Sequence, residues 1–191
     1  MPHLYTLQLV KPWQQPDVLL DNPSIECSPN LHSTLKCTGS LTSHLENHFK
    51  QIVEIELINQ EHQQDWEDNP NLWSKQHTFD SKKGVTIRNV WLQVGGDNIL
   101  FAHSQLALNS LTSSTRQDIK EGRLPLGSLL LQSENAIERQ LLEITQAVIP
   151  DLALEIGSDI NRVFWCRRSL FLINGAVSAR ILEVFLINFD K

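Results

Sequence analysis

The 191-residue sequence has three cysteines, Cys27, Cys37 and Cys166, and no CxxC pair. An odd number at such spacing gives no basis for a disulfide framework or a cysteine zinc site, and reduced thiols are expected. Long apolar runs are missing too: Leu170-Phe171-Leu172-Ile173 and residues 181–187 are strand-sized, so no membrane insertion is expected. The opening Met1-Pro2-His3-Leu4 lacks the basic segment and apolar run of a secretory signal, and a cytoplasmic location is the expectation. No GxGxxG, Walker-type loop or GxSxG elbow occurs. Nucleotide cofactors and serine hydrolase chemistry are therefore without support.

What is present is an ordinary globular composition, 41% hydrophobic and 20% charged, in a chain long enough for one real core. The net charge of −6 argues against nucleic acid as a partner. Glu54, Glu56, Glu61, Asp65, Glu67 and Asp68 fall in a stretch without Lys or Arg, which reads as a solvated strand edge and loop. Arg162, Arg167, Arg168 and Arg180, by contrast, gather in the most hydrophobic part of the chain.

Residues 1–38, with Pro12, Pro16, Pro23 and Pro29 among polar residues, read as an extended arm preceding a domain over 39–191. A helix is expected from Gly39-Ser40, with Leu41, Leu45 and Phe49 on one face and either Ser40 or a Ser43/Glu46 capping box at its start. Residues 52–58 alternate as a strand, and 59–81 read as a long irregular connection. Residues 85–94 and 99–106 form a hairpin through Gly95-Gly96-Asp97-Asn98, and 163–173 and 179–189 form another around Asn174-Gly175. Between them, helices are expected over 112–121 and 133–148, the latter stopped by Pro150. Tight-turn strand pairs with helices between them give an α+β single domain, an antiparallel sheet with helices packed on it.

Two charged residues sit inside apolar strands. Arg88 shares a strand face with Thr86, Val90, Leu92 and Val94. A guanidinium there needs an anion, supplied either by a structural ion pair or by a ligand. Glu183 is flanked by Ile181-Leu182 and Val184-Phe185. Such a carboxylate is either the partner of a nearby arginine or a group that orients a ligand or does chemistry. His44 and His48 have helical zinc spacing but lack a third ligand, so no metal site is expected, and His103 reads as a packed or exposed strand residue.

In order, Gly-Ser-Leu-Thr at 39–42, Arg88 before the Gly95-Gly96-Asp97-Asn98 hairpin, Leu-Pro-Leu-Gly at 124–127, Arg-Arg-Ser at 167–169 and Leu-Glu-Val-Phe-Leu at 182–186 resemble the chorismate lyase family. The resemblance implies a six-stranded antiparallel sheet and conversion of chorismate to 4-hydroxybenzoate and pyruvate for quinone biosynthesis. It implies no metal or organic cofactor. Residue by residue, Arg88 matches the arginine that binds the aromatic-acid carboxylate. Leu41 and Leu126 match positions whose backbone N–H groups point at the same ligand. Glu183 matches the carboxylate near the ring hydroxyl, as orienting group or as base. The sequence departs from that family at His103, where an arginine is expected, and in a longer 133–157 region, where Arg139 is a candidate match. A rival reading is a non-catalytic small-acid sensor of the same fold, although the proline-rich residues before Gly39 show no helix-turn-helix pattern.

Overall fold

The hairpin turns set the architecture. Gly95 and Gly96 both adopt positive φ, 60° and 88°, which a two-residue turn matched to strand twist requires at both central positions. That turn joins β3 (Val85–Val94) to β4 (Asp97–Leu106). The second hairpin joins β6 (Val163–Ile173) to β7 (Ala176–Phe185). A computed structural model describes residues 5–64, 72–73, 84–108, 111–121, 126, 137–173, 175–187 and 189. Its single antiparallel sheet has the order β1-β5-β6-β7-β4-β3-β2, with β1 at Gln8–Leu9, β2 at Glu54–Gln63 and β5 at Ile137–Val148. The fold class is as expected, with seven strands where six were anticipated. The additional strand is the two-residue β1, which pairs with Ala147 and Val148.

Five expectations are corrected. The described part of the stretch expected as a helix over 133–148, Ile137 to Val148, is instead β5, which pairs along β6. The ladder slips between Gln140 and Glu143, where Leu141 takes φ 49°, and this bulge breaks the strict alternation that marks a strand. One extra residue changes the face of everything after it. Pro150 is the first residue of the next helix, α5 (Pro150–Glu155), and not the stop of a previous one. The stretch 59–63 continues β2 instead of starting a loop, and β7 ends at Phe185. The arm is not simply extended: it forms α1 (Pro16–Leu20) and α2 (Pro29–Leu35). Both helices begin with proline at the first helical position, where its missing N–H costs no bond.

The helix expected from Ser40 is α3 (Leu41–Phe49), with the Ser40 hydroxyl accepting from the Ser43 N–H at 3.3 Å. Glu46 is not part of a capping box and accepts from the Val53 N–H instead. Leu19, Leu20, Leu31, Leu35, Leu41 and Leu45 of α1 to α3 pack on one face of the sheet, against Val90, Leu92, Leu100 and Phe185. At one end of that face α4 (Ser113–Glu121) adds Ile119 against Leu106, Phe171 and Ile181. On the opposite face Ile149, Leu152 and Ala153 pack with Trp73, Trp91, Phe101, Leu182 and Val184. Both faces of the sheet are therefore covered.

The opposite face also holds a relay of polar side chains. Arg180 donates to the Gln105 carbonyl, the Gln105 amide donates to His103 Nε2, and His103 Nδ1 donates to the Asn89 carbonyl at 2.7 Å. His103 is thus a packed residue, with both ring nitrogens used in its neutral form. Burial pushes its pKa down to about 4. The unfolded chain takes up this proton near pH 6.5 and the folded chain only near pH 4. Within that window the unfolded state binds more protons, so stability falls as the pH falls. Urea denaturation between pH 6.5 and 4 should show this loss, up to about 3 kcal/mol from His103 alone. His103→Gln should have a shallower pH slope. Parallel slopes would contradict a buried neutral ring.

Candidate active site

Four bulges decide which side chains meet. The β3–β4 ladder slips between Leu92 and Gln93, with Ile99 as the extra residue. Without it, the pairing set by the Gly95-Gly96 turn would place His103 opposite Arg88. With it, Ser104 lies opposite Arg88 and His103 faces the other side of the sheet with Asn89. The β6–β7 ladder slips at Ser178, between the pairs Phe171–Ala179 and Leu172–Val177. The effect is to place Arg167, and not Cys166, opposite Glu183. The β2–β3 ladder slips similarly at Ile58, and β5 at Leu141-Leu142.

On the resulting face lies a cavity lined by Arg88, Val90 and Leu92 of β3, Leu100, Ala102 and Ser104 of β4, and Ile181 and Glu183 of β7. Ile55 of β2, Leu41 and Thr42 of α3, Leu126 and Arg139 complete the lining. The four residues singled out from sequence, Arg88, Leu41, Leu126 and Glu183, are thereby brought to one cavity. Arg88 is 2% exposed. Burial pushes its pKa down to about 10, which still leaves it cationic at neutral pH. Leu41 and Thr42 open α3, and first-turn N–H groups of a helix have no intrahelical acceptor and attract anions.

Glu183 both faces the cavity and has a structural partner. Arg167 Nε donates to Glu183 Oε2 at 2.5 Å, with the arginine fully buried. The same guanidinium donates through Nη1 to the carbonyls of Thr34 at 3.2 Å and Cys37 at 3.0 Å. Arg139 Nη1 also donates to the Cys37 carbonyl, at 3.3 Å, and its guanidinium lies 4.8 Å from the centre of the Phe171 ring. Burial first, and then the neighbouring Arg167, push the Arg139 pKa down, with Glu183 opposing. Among the described residues around the cavity, Arg88, Arg139 and Arg167 set three cations against the carboxylate of Glu183. That is the local field needed to hold an anion in a chain of net charge −6.

Ser104, Thr42 and Arg167 were missed from sequence as parts of the site, and Arg139 was only a candidate. Ser104 and Arg167 depend on the bulges, and Arg139 lies on the segment misread as helix. Thr42 carried a signal: it directly follows Leu41 at the same helix start. His44 Nε2 bonds the Thr34 hydroxyl, His48 packs edge-on against Phe49 and Phe189, and no metal-binding group of His, Cys, Asp or Glu occurs among the described residues. No helix among the described residues is long and apolar enough to cross a membrane.

Residues 35–191 match the family described as chorismate pyruvate-lyase Rv2949c-like. A "Probable chorismate pyruvate-lyase" of Psychromonas ingrahamii is 27% identical over 112 residues, 56% of this chain and 59% of that protein. Another, of Pseudomonas syringae pv. tomato, is 34% identical over 103 residues, 52% of this chain and 51% of that protein. The matched region thus spans between half and three-fifths of these curated relatives. Among solved structures, PhnF from Mycobacterium smegmatis superposes with a TM-score of 0.62 at 12% identity, covering 78% of this chain and 64% of that one. A GntR-family transcriptional regulator from Enterococcus faecalis gives 0.52 at 9% identity, covering 69% and 91%. At such identities the likeness is one of fold.

The Arg167–Glu183 pair yields a stability test. Glu183→Ala leaves a buried guanidinium without its carboxylate, and chemical denaturation should show a loss of about 3–5 kcal/mol. Glu183→Gln keeps an acceptor oxygen and should lose clearly less. Equal losses in the two variants would count against the pair.

Proposed function

The chain belongs to the chorismate pyruvate-lyase Rv2949c-like family, and from that premise we propose that it converts chorismate to 4-hydroxybenzoate and pyruvate in the cavity between the sheet and α3. The observation that carries the proposal is the convergence of Arg88, Leu41, Leu126 and Glu183 on that cavity. Chorismate is a dianion with a ring carboxylate and an enolpyruvyl carboxylate. Arg88 takes the ring carboxylate, with the first-turn N–H groups of Leu41 and Thr42 and the backbone of Leu126 as further donors. Glu183 accepts from the ring hydroxyl at C4.

In the reaction the C3–O ether bond breaks, the C4–H proton leaves the ring, and the released enolpyruvate gains a proton at its methylene carbon to become pyruvate. Electrons balance within the substrate, and aromatisation supplies much of the driving force. The protein's part is to hold both carboxylates and stabilise charge on the departing enolpyruvyl oxygen. Because one Glu183 oxygen is held by Arg167, the free oxygen is suited to fixing the hydroxyl. The C4 proton can pass within the substrate to the enolpyruvyl methylene, which requires no protein base. The same reading makes the enzyme cofactor-independent and cytoplasmic, with a product that feeds quinone biosynthesis.

Incubation of the purified protein with chorismate in the presence of EDTA, followed by chromatography, should yield equal amounts of 4-hydroxybenzoate and pyruvate. Tight binding of 4-hydroxybenzoate without turnover would instead establish an effector-binding role. Arg88→Ala should raise the Kd for 4-hydroxybenzoate by about 30- to 1000-fold, the cost of removing one member of a buried charge pair. Unchanged affinity on calorimetry would remove Arg88 from the site.

A further inference from the structure

Arg167 touches three groups at once, a carboxylate that lines the cavity and two backbone carbonyls of the α2–α3 corner. Its Nε holds Glu183 Oε2, and its Nη1 is shared between the Thr34 and Cys37 carbonyls. Thr34 lies in the last turn of α2, whose orphan carbonyls favour a cation, and Cys37 begins the link to α3. Three residues beyond Cys37, Ser40 caps the helix whose first residues, Leu41 and Thr42, line the cavity. One rigid, planar guanidinium therefore spans the carboxylate wall of the cavity and the corner that presents its N–H donors.

We propose that Arg167 is a positioning residue for the reaction. By occupying Oε2 it fixes the rotamer of Glu183 and leaves Oε1 as the only carboxylate oxygen available to a ligand, and through the α2 carbonyls it holds the α2–α3 corner at its distance from that oxygen. The geometry suits arginine and no other side chain. A lysine has one nitrogen and cannot direct parallel donors at a carboxylate and at a pair of carbonyls. The adjacent Arg168 has no part in this. It lies on the other face of the sheet, ion-paired to Glu143 at 2.6 Å and stacked on Trp13 at 4.4 Å. The kinetic form of the proposal rests on the lyase reading, whereas its binding form does not.

The test is a double-mutant cycle between Arg167→Lys and Glu183→Gln, read on kcat/KM for chorismate and on the Kd of 4-hydroxybenzoate, with Tm measured for every variant. Arg167→Lys should lower kcat/KM by about 10- to 100-fold in the parent but by a several-fold smaller factor when Glu183→Gln is already present, the remainder being its hold on the α2–α3 corner, as expected of residues that act together. Arg168→Lys, the stability control, should lower Tm without coupling to Glu183→Gln. If Arg167→Lys loses its cooperative unfolding transition, Arg167→Gln replaces it, because its amide still donates to Glu183. Additive losses would overturn the proposal and mark Arg167 as a direct ligand contact. Losses that track Tm across all variants, Arg168→Lys included, would overturn it in favour of general stability. A parent protein without turnover fails the lyase reading alone, and the coupling is then read from the 4-hydroxybenzoate Kd values, where additivity again overturns the proposal.

Discussion

A guanidinium cannot discharge itself to escape burial, so each arginine taken into a sheet obliges the fold to bring acceptors to it. Arg88, Arg167 and Arg180 are almost wholly buried in this sheet, and Arg168 nearly so. Much of the architecture answers that obligation. The arm folds back to lay the Thr34 and Cys37 carbonyls on Arg167. The Leu72 carbonyl accepts from Arg168, and Trp73 stacks near both Arg168 and Arg180. The two members of the Arg167-Arg168 dipeptide serve opposite faces, because successive strand residues must point apart. One therefore helps build the cavity and the other anchors the layer behind it.

The strongest signals in the sequence were those in which local chemistry and tertiary demand agree. Glycine pairs fixed the β3–β4 turn, alternation and apolar density marked β3 and β6, and Ser40 marked the start of α3. Arg88 and Glu183 stood out because a charge inside an apolar strand is costly wherever that strand goes. What could not be read was register. No residue type announces that Ile99 or Ser178 will be the extra residue in its ladder, so neither the removal of His103 from Arg88's face nor the meeting of Arg167 with Glu183 was visible. β5 was misread for the same reason, since its bulge breaks the alternation that marks a strand. Its identity is imposed by the open edge of β6, which needs a partner along its whole length.

The fold is shared with a GntR-family transcriptional regulator at 9% identity, so the layout of the sheet cannot be the source of a particular chemistry. The cavity itself carries a small polar inventory in an apolar lining: guanidinium groups, the Glu183 carboxylate and the first-turn N–H groups of α3. Two of those guanidinium groups, Arg139 and Arg167, share the Cys37 carbonyl. The α2–α3 link is consequently a structural member of the cavity, although it lies outside the sheet and acts there through a backbone carbonyl.

Each bulge in these ladders also acts as a parity switch. Adding or removing one residue at Ile58, Ile99, Leu141 or Ser178 would exchange, from that point onward, the set of side chains facing the cavity for the set facing the other layer, with little change in the path of the backbone. A family that drifts by single-residue insertions and deletions can thus re-equip its binding face from residues it already carries. Comparison of its distant members therefore calls for gaps inside the strands, where they are ordinarily forbidden, as well as in the loops between them.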